Sequence, residues 1–140
     1  MNLRRPVILI GVALALGACG TASVFDLTVG DCFNDPAESG EVSSVTAIDC
    51  DEPHDNEVYA LYEYEGSDEY PGSETLGTAA NEGCENRFEA YVGTPYLDSE
   101  VYYTHLIPTE DSWATGDREI VCVLYIPGEQ IEGSLEGSGR

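Results

Sequence analysis

Lysine is absent from this 140-residue chain, and five arginines face 27 acidic residues, a formal charge of −22 at pH 7. A field of that sign repels phosphate, so nucleic acid is excluded as a partner and anionic lipid headgroups are not attracted. Histidine occurs twice, at His54 and His105, and tryptophan once, at Trp113. No pair of cysteines stands at C-x2-C spacing, which argues against a structural zinc site. No D-x-D-x-D-G run marks an EF-hand loop. No G-x-S-x-G marks a nucleophile elbow, and Ser39, Ser67 and Ser73 lie in plain turn contexts. The apolar run Val7 to Leu16 has ten residues, too few to span a bilayer.

That short run is informative in its setting. Arg4 and Arg5 precede it and the small-residue stretch Leu16 to Cys19 (LGAC) follows, the n-region, h-region and cleavage pattern of a secretory signal. LGAC resembles a bacterial lipobox, which implies a signal peptide over residues 1–18 and a diacylglycerol thioether on Cys19. Two acyl chains suffice for stable anchoring. The expectation is a lipoprotein held on the extracytoplasmic face of the cell membrane, with membrane lipid its first partner. Removal of residues 1–18 takes away Arg4 and Arg5 and leaves three arginines against the same 27 acids. Cations or basic protein patches are the matching partners.

Five cysteines are present, at 19, 32, 50, 84 and 122. With Cys19 lipidated, four remain in an oxidising compartment, an even number that reads as two disulfides. Four cysteines allow three connectivities.

Residues 19–28 read as a lipidated linker in which Phe25 and Leu27 begin the fold. VGDCF (29–33) is strand-like, Asn34 to Gly40 is a turn cluster, and Val42 to Cys50 is rich in β-branched residues. Pro53 then turns the chain. Glu57 to Tyr64 alternates as a half-buried strand, with Val58, Ala60, Tyr62 and Tyr64 on one side and Glu57, Tyr59, Leu61 and Glu63 on the other. One helix is predicted over Ser73 to about Val92, with Ser73 as N-cap and Gly93 just past its end. Leu76, Ala80, Cys84, Phe88 and Tyr91 form its apolar stripe, and Gly77 and Gly83 weaken it by roughly 1 kcal/mol each. Val101 to Ile107 and Glu119 to Ile126 are further strands, the latter nearly continuous in apolar residues and therefore central. Thr109 to Asp117 reads as a loop carrying Trp113, Gln130 to Leu135 as a short edge segment, and residues 136–140 as a flexible tail. The fold class is α+β: an antiparallel sheet of four or five strands with one main helix packed on it.

The densest chemistry is CDEPHDNEV, residues 50–58. Cys50, His54, Asp55 and Glu57 invite a metal or dyad reading. The dyad requires a free Cys50, and a zinc site requires further short-spaced ligands; neither is offered. Paired carboxylates for glycan cleavage need a deep cleft that a chain this small has little room to build. No metal site, no cofactor and no catalytic residue is therefore assigned, and loose divalent-cation binding by Asp and Glu loops is the remaining ion reading. In the structural reading Pro53 sets the turn, Asp55 caps backbone amides and His54 donates a ring N–H. His105, in the middle of a strand, reads as a satisfied or surface histidine and not as a ligand. Trp113, Asp117 and Arg118 form a second cluster, with Arg118 paired to a local carboxylate. His54, Asp55, Glu57, Trp113, Asp117 and Arg118 together are the candidate interaction surface, Trp113 as a recognition anchor.

Four segments in order carry a resemblance: VGDCF (29–33), VTAIDCDEPHDNEV (45–58), CENRFEAYVG (84–93) and PTEDSWATGDREIVCVL (108–124). Together with the closing GSLEGSGR they resemble the septum-formation domain family of actinobacterial envelope proteins. The resemblance implies one domain over 29–135, a role at the envelope, and sequential disulfides, Cys32–Cys50 and Cys84–Cys122. The expected function is a non-catalytic binding or scaffolding module in cell-envelope growth or septum formation, with envelope or division proteins as partners. A small envelope hydrolase or a ligand-binding lipoprotein is the alternative.

Overall fold

The computed structural model describes residues 21–36 and 44–140. The signal segment 1–18, Cys19 and most of the Asn34–Gly40 turn cluster lie outside these residues. Six strands form one antiparallel sheet: β1 (Thr21–Ser23), β2 (Cys32–Asn34), β3 (Ser44–Ile48), β4 (Asn56–Glu63), β5 (Tyr102–Leu106) and β6 (Glu119–Tyr125). Their spatial order is β1-β3-β2-β4-β6-β5. Helix α1 (Ser73–Val92) crosses one face, and a five-residue helix α2 (Glu110–Ala114) precedes β6. Strands β2 to β6 and α1 are the α+β architecture expected from the sequence. The three-residue β1 adds an edge piece within the stretch read as linker, and Leu27 just after it is buried while Phe25 stays exposed.

Burial follows the residue pattern on α1. Leu76, Ala80, Cys84, Phe88 and Val92 are all fully buried, at spacings of four throughout. Val92 closes the stripe, and Tyr91 stands half-buried beside it. Gly72 rather than Ser73 occupies the N-cap and makes no side-chain cap bond. Gly93 ends the helix in the left-handed region (φ 87°) and donates its N–H to Glu89 O, as a Cβ-free residue can do without strain. The Cys84–Cys122 disulfide ties the middle of the helix to β6, and Cys32–Cys50 ties β2 to the chain after β3. Both pairings are those the family resemblance implies.

The two helix glycines differ in what they permit. A Cβ on Gly83 would run into the Tyr62 ring, whose hydroxyl donates to Ala79 O at 3.0 Å and whose face carries Arg87 at 4.1 Å. A Cβ on Gly77 would meet only His105 Nε2, at 3.9 Å, an ordinary contact. Gly77→Ala is expected to raise stability by up to about 1 kcal/mol. Gly83→Ala is expected to give no gain, because relieving the clash breaks the Tyr62 contacts. Chemical denaturation of the two variants decides it, and equal gains would remove the steric role of Gly83.

Strand β4 departs from simple alternation. Val58 pairs with Val123 and Ala60 with Cys122, leaving Tyr59 as the extra residue of a β-bulge. Val58 therefore joins the core on the open face with Phe33, Val45, Val121 and Val123, and Tyr59, Ala60 and Tyr62 all pack toward the helix. Tyr59 donates its hydroxyl to Cys84 O at 2.7 Å.

Beyond β6 the chain folds back. Ile131 and Leu135 are buried, Gly137 N–H donates to Tyr91 O and Gly139 N–H to Val92 O. Residues 136–140, expected as a flexible tail, are hydrogen-bonded to the end of α1. Local polarity suggested fraying, while backbone partners nearly fifty residues away hold the segment.

Candidate functional site

The CDEPHDNEV corner joins β3 to β4. His54 forms a two-bond bridge with Ile131: His54 N–H donates to Ile131 O at 2.9 Å, and Ile131 N–H to His54 O at 2.7 Å. Gly133 N–H donates to Cys50 O. The corner is thus roofed by the returning C-terminal segment, and His54 is completely buried. Its Nδ1 lies 2.8 Å from Glu52 O, so Nδ1 carries the proton and donates it.

Alternation sets Glu57 opposite Val58, Ala60, Tyr62 and Tyr64; with the bulge at Tyr59 it lies on the helix side together with Ala60 and Tyr62 and is fully buried. Its Oε1 accepts from Tyr91 Oη at 2.8 Å and Ser134 Oγ at 2.5 Å, and its Oε2 accepts from Leu135 N–H at 2.7 Å. The carboxylate is the hub joining β4, α1 and the C-terminal segment. Burial, and then the bond to Glu57, push the Tyr91 phenol well above its ordinary value, which keeps it a donor.

Asp55 faces outward between these two buried groups. It caps a backbone amide, as expected, but a distant one: Oδ2 accepts from Asp35 N–H at 2.9 Å, and Oδ1 accepts from Gln130 Nε2 at 3.0 Å. Asn56 Nδ2 donates to Asp35 Oδ1 at 2.7 Å. These contacts build one wall of an open cleft of about 520 Å³, completed by Tyr125 and Glu129. Tyr125 continues outward to Tyr102, ring centroids 5.9 Å apart, and Tyr102 is 45% exposed. Three carboxylates and an aromatic face thus meet at one rim. Of the residues singled out from the sequence only Asp55 belongs to it. Asp35, Asn56, Tyr125, Glu129 and Gln130 carried no local signal, because three separate parts of the chain supply them.

Trp113, expected as a recognition anchor, is turned into the fold. It lies on α2 rather than on a loop and is only 5% exposed. Thr109 caps α2: its Oγ1 accepts from Ser112 N–H, and Ser112 Oγ accepts in return from Thr109 N–H. The indole Nε1 donates to Asp68 O at 3.1 Å, and the Arg118 guanidinium lies 3.7 Å over the ring. Arg118 was expected to pair with a carboxylate; instead its Nη1 donates to Trp113 O and Asp117 O. Asp117 accepts from Ser112 Oγ and Glu119 N–H. The cluster is a clasp holding the 66–72 loop, with Tyr64 and Tyr70 against the indole.

The arginines explain the surface. Arg87 stacks on Tyr62 and donates to Gly83 O, Arg118 stacks on Trp113, and Arg140 pairs with Glu100 at 2.6 Å and Glu129 at 3.1 Å. All three arginines among the described residues are engaged within the fold. Most carboxylates, Asp35 and Asp55 included, therefore have no cationic partner. His105 is half-buried on the helix side, where burial lowers its basicity below the ordinary value.

The model of the family described as septum formation matches residues 29–139. The chain belongs to the septum-formation family. No curated protein and no solved structure matches it. The matched span of this septum-formation domain contains β2 to β6, α1, both disulfides and the whole cleft. The family description names a process, septum formation, and no reaction. It links the domain to that process.

Proposed function

We propose that this septum-formation protein is a non-catalytic binding or scaffolding module, lipid-anchored through Cys19 on the extracytoplasmic face. In this reading its cleft docks a basic segment of an envelope or division protein. The observation that carries the proposal is the cleft itself. Asp35 and Asp55 are fixed by hydrogen bonds from Asn56, Gln130 and a backbone amide, so their charges are held in place before a partner arrives. Arg87 and Arg118 are engaged elsewhere and Arg140 reaches the rim at Glu129, so the charge that complements Asp35 and Asp55 has to come from outside. Arginine or lysine heads would meet the carboxylates, and an arginine can also stack on Tyr125 or Tyr102.

The non-catalytic part rests on access. An active corner would bring His54 and another titratable group to a pocket. His54 and Glu57 do converge, but both are fully buried beneath the C-terminal segment, and Cys32 and Cys50 are joined in a disulfide. Neither side chain exposes surface that a substrate could touch.

The test is recovery from intact envelopes with the lipid anchor retained, comparing wild type with Asp35→Asn/Asp55→Asn. The variant is expected to lose at least tenfold of a specific division or cell-wall protein, and recovery by wild type is expected to fall with salt. Equal recovery by both proteins would remove the cleft from the function.

A further inference from the structure

The roofed corner holds donors that the turn does not use. His54 Nδ1 donates to Glu52 O, which leaves Nε2 presenting a lone pair. That atom is fully buried and has no hydrogen-bond partner. One ligand atom each from Cys32, His54 and Glu57 lies within 4.8 Å of the other two. Cys50 Sγ is bonded directly to Cys32 Sγ. Two sulfurs, one imidazole nitrogen and one carboxylate thus share one small volume, and only the disulfide bond prevents the sulfurs from acting as thiolate ligands.

We propose that reduction of Cys32–Cys50 converts this corner into a binding site for a Zn²⁺-class divalent cation, with Cys32, Cys50, His54 and Glu57 as its four ligands. This goes beyond the docking function and does not depend on it. The reductant is a dithiol. Its two thiols reduce the S–S bond, it closes to its own disulfide, and each cysteine sulfur takes one proton. The cation then replaces those two protons, which pass to solvent.

Three features favour the site. The donor set of two thiolates, an imidazole and a carboxylate suits a tetrahedral borderline-soft cation. Ligand atoms around such a cation stand about 3.5 Å apart, so the Cys32, His54 and Glu57 atoms need to close by about 1 Å, while the two sulfurs, bonded in the disulfide, separate on reduction. The outer groups are also in place. A metal-binding histidine ordinarily donates its other N–H to a carbonyl, and a ligating carboxylate is itself hydrogen-bonded. Here Glu52 O fills the first role, and Tyr91, Ser134 and Leu135 N–H fill the second. Reduction can be selective, because Cys50 is partly exposed while Cys84 and Cys122 are fully buried.

The full chain in detergent is reduced anaerobically with dithiothreitol, the reductant is removed, and Co²⁺ is titrated in as the spectroscopic probe. The reduced protein is expected to take one Co²⁺ per chain, with thiolate-to-cobalt charge-transfer and tetrahedral bands that Zn²⁺ displaces. The oxidised protein is expected to show neither band. His54→Gln should weaken binding at least tenfold, and His105→Gln, beside the other disulfide, should leave it unchanged. Equal affinity of wild type and His54→Gln overturns the proposal, as does equal binding by the urea-unfolded reduced chain. If His54→Gln does not fold, the reduced wild type decides: Zn²⁺ is expected to raise its melting temperature, and no rise overturns the site.

Discussion

Replacing Cys84 and Cys122 together by alanine is expected to cost about 4 kcal/mol, from the loss of a cross-link spanning 38 residues. The same double replacement at Cys32 and Cys50, which spans 18 residues, is expected to cost about 3 kcal/mol. The difference widens in the folded state. Cys84 and Cys122 lie at the centre of the helix–sheet core with no exposure, so truncation there also leaves space that Phe88 and Ile120 must collapse to fill. Cys50 lies at a partly exposed turn where water can take the vacated volume. A domain of this size has roughly 5–15 kcal/mol to lose, so the helix-side variant is expected to melt more than about 10 °C lower. Thermal unfolding of the two double variants against wild type measures this. A Cys32/Cys50 variant that proves the less stable of the two would mean that the roofed corner, and not the helix contact, holds the fold together.

Glu57→Leu is expected to lower stability by about 3–5 kcal/mol, a large effect for one carboxylate on a strand that alternation reads as half-buried. The leucine removes the acceptor for Tyr91 Oη, Ser134 Oγ and Leu135 N–H at once. Each buried donor left without a partner costs about 1–3 kcal/mol. Glu57→Gln retains one oxygen and is expected to cost less, about 1–3 kcal/mol, since its NH₂ faces groups that also donate. The readout is the denaturant midpoint, together with hydrogen exchange at Leu135 and Gly137. Protection there should fall more than in α1, because the carboxylate ties the C-terminal segment down. A Glu57→Leu protein with the wild-type midpoint would show that Ile131 and Leu135 hold that segment by packing alone.

These expectations separate two regions that the sequence places side by side. His54 and Glu57 are interior, and they decide whether the corner stands. Asp55, between them, faces the cleft and can be changed without opening the core. A substitution at His54 that abolished a cellular role would therefore be read through folding first, whereas one at Asp55 would be read through binding. The Trp113–Arg118 clasp belongs with the interior group. Its aromatic and cationic groups stack on one another and hold the 66–72 loop.

Much of the architecture is written in local pattern. The spacing of Leu76, Ala80, Cys84 and Phe88 determines a helix with one buried face, and Gly93 determines where it stops, because few other residues enter the left-handed region cheaply. The β-branched and apolar runs at Ser44–Ile48 and Glu119–Tyr125 determine strands for the same local reason. Composition alone fixes the sign of the surface, since no lysine and few arginines oppose so many acids. Tertiary structure decided everything that depends on partners far along the chain. The carboxylate of Glu57 meets groups 34, 77 and 78 residues away, and a bulge at Tyr59 breaks the period of two that would have reported its neighbours' sides. The cleft is built from Asp35 just after β2, the start of β4, Thr104 of β5 and the end of β6 with the turn after it, none of which signals a site by itself. Trp113 and the C-terminal segment read as loop and tail because their own residues are polar or glycine-rich. The burial of Trp113 and the docking of the tail on the end of α1 depend on surfaces that exist only once the sheet and helix have assembled.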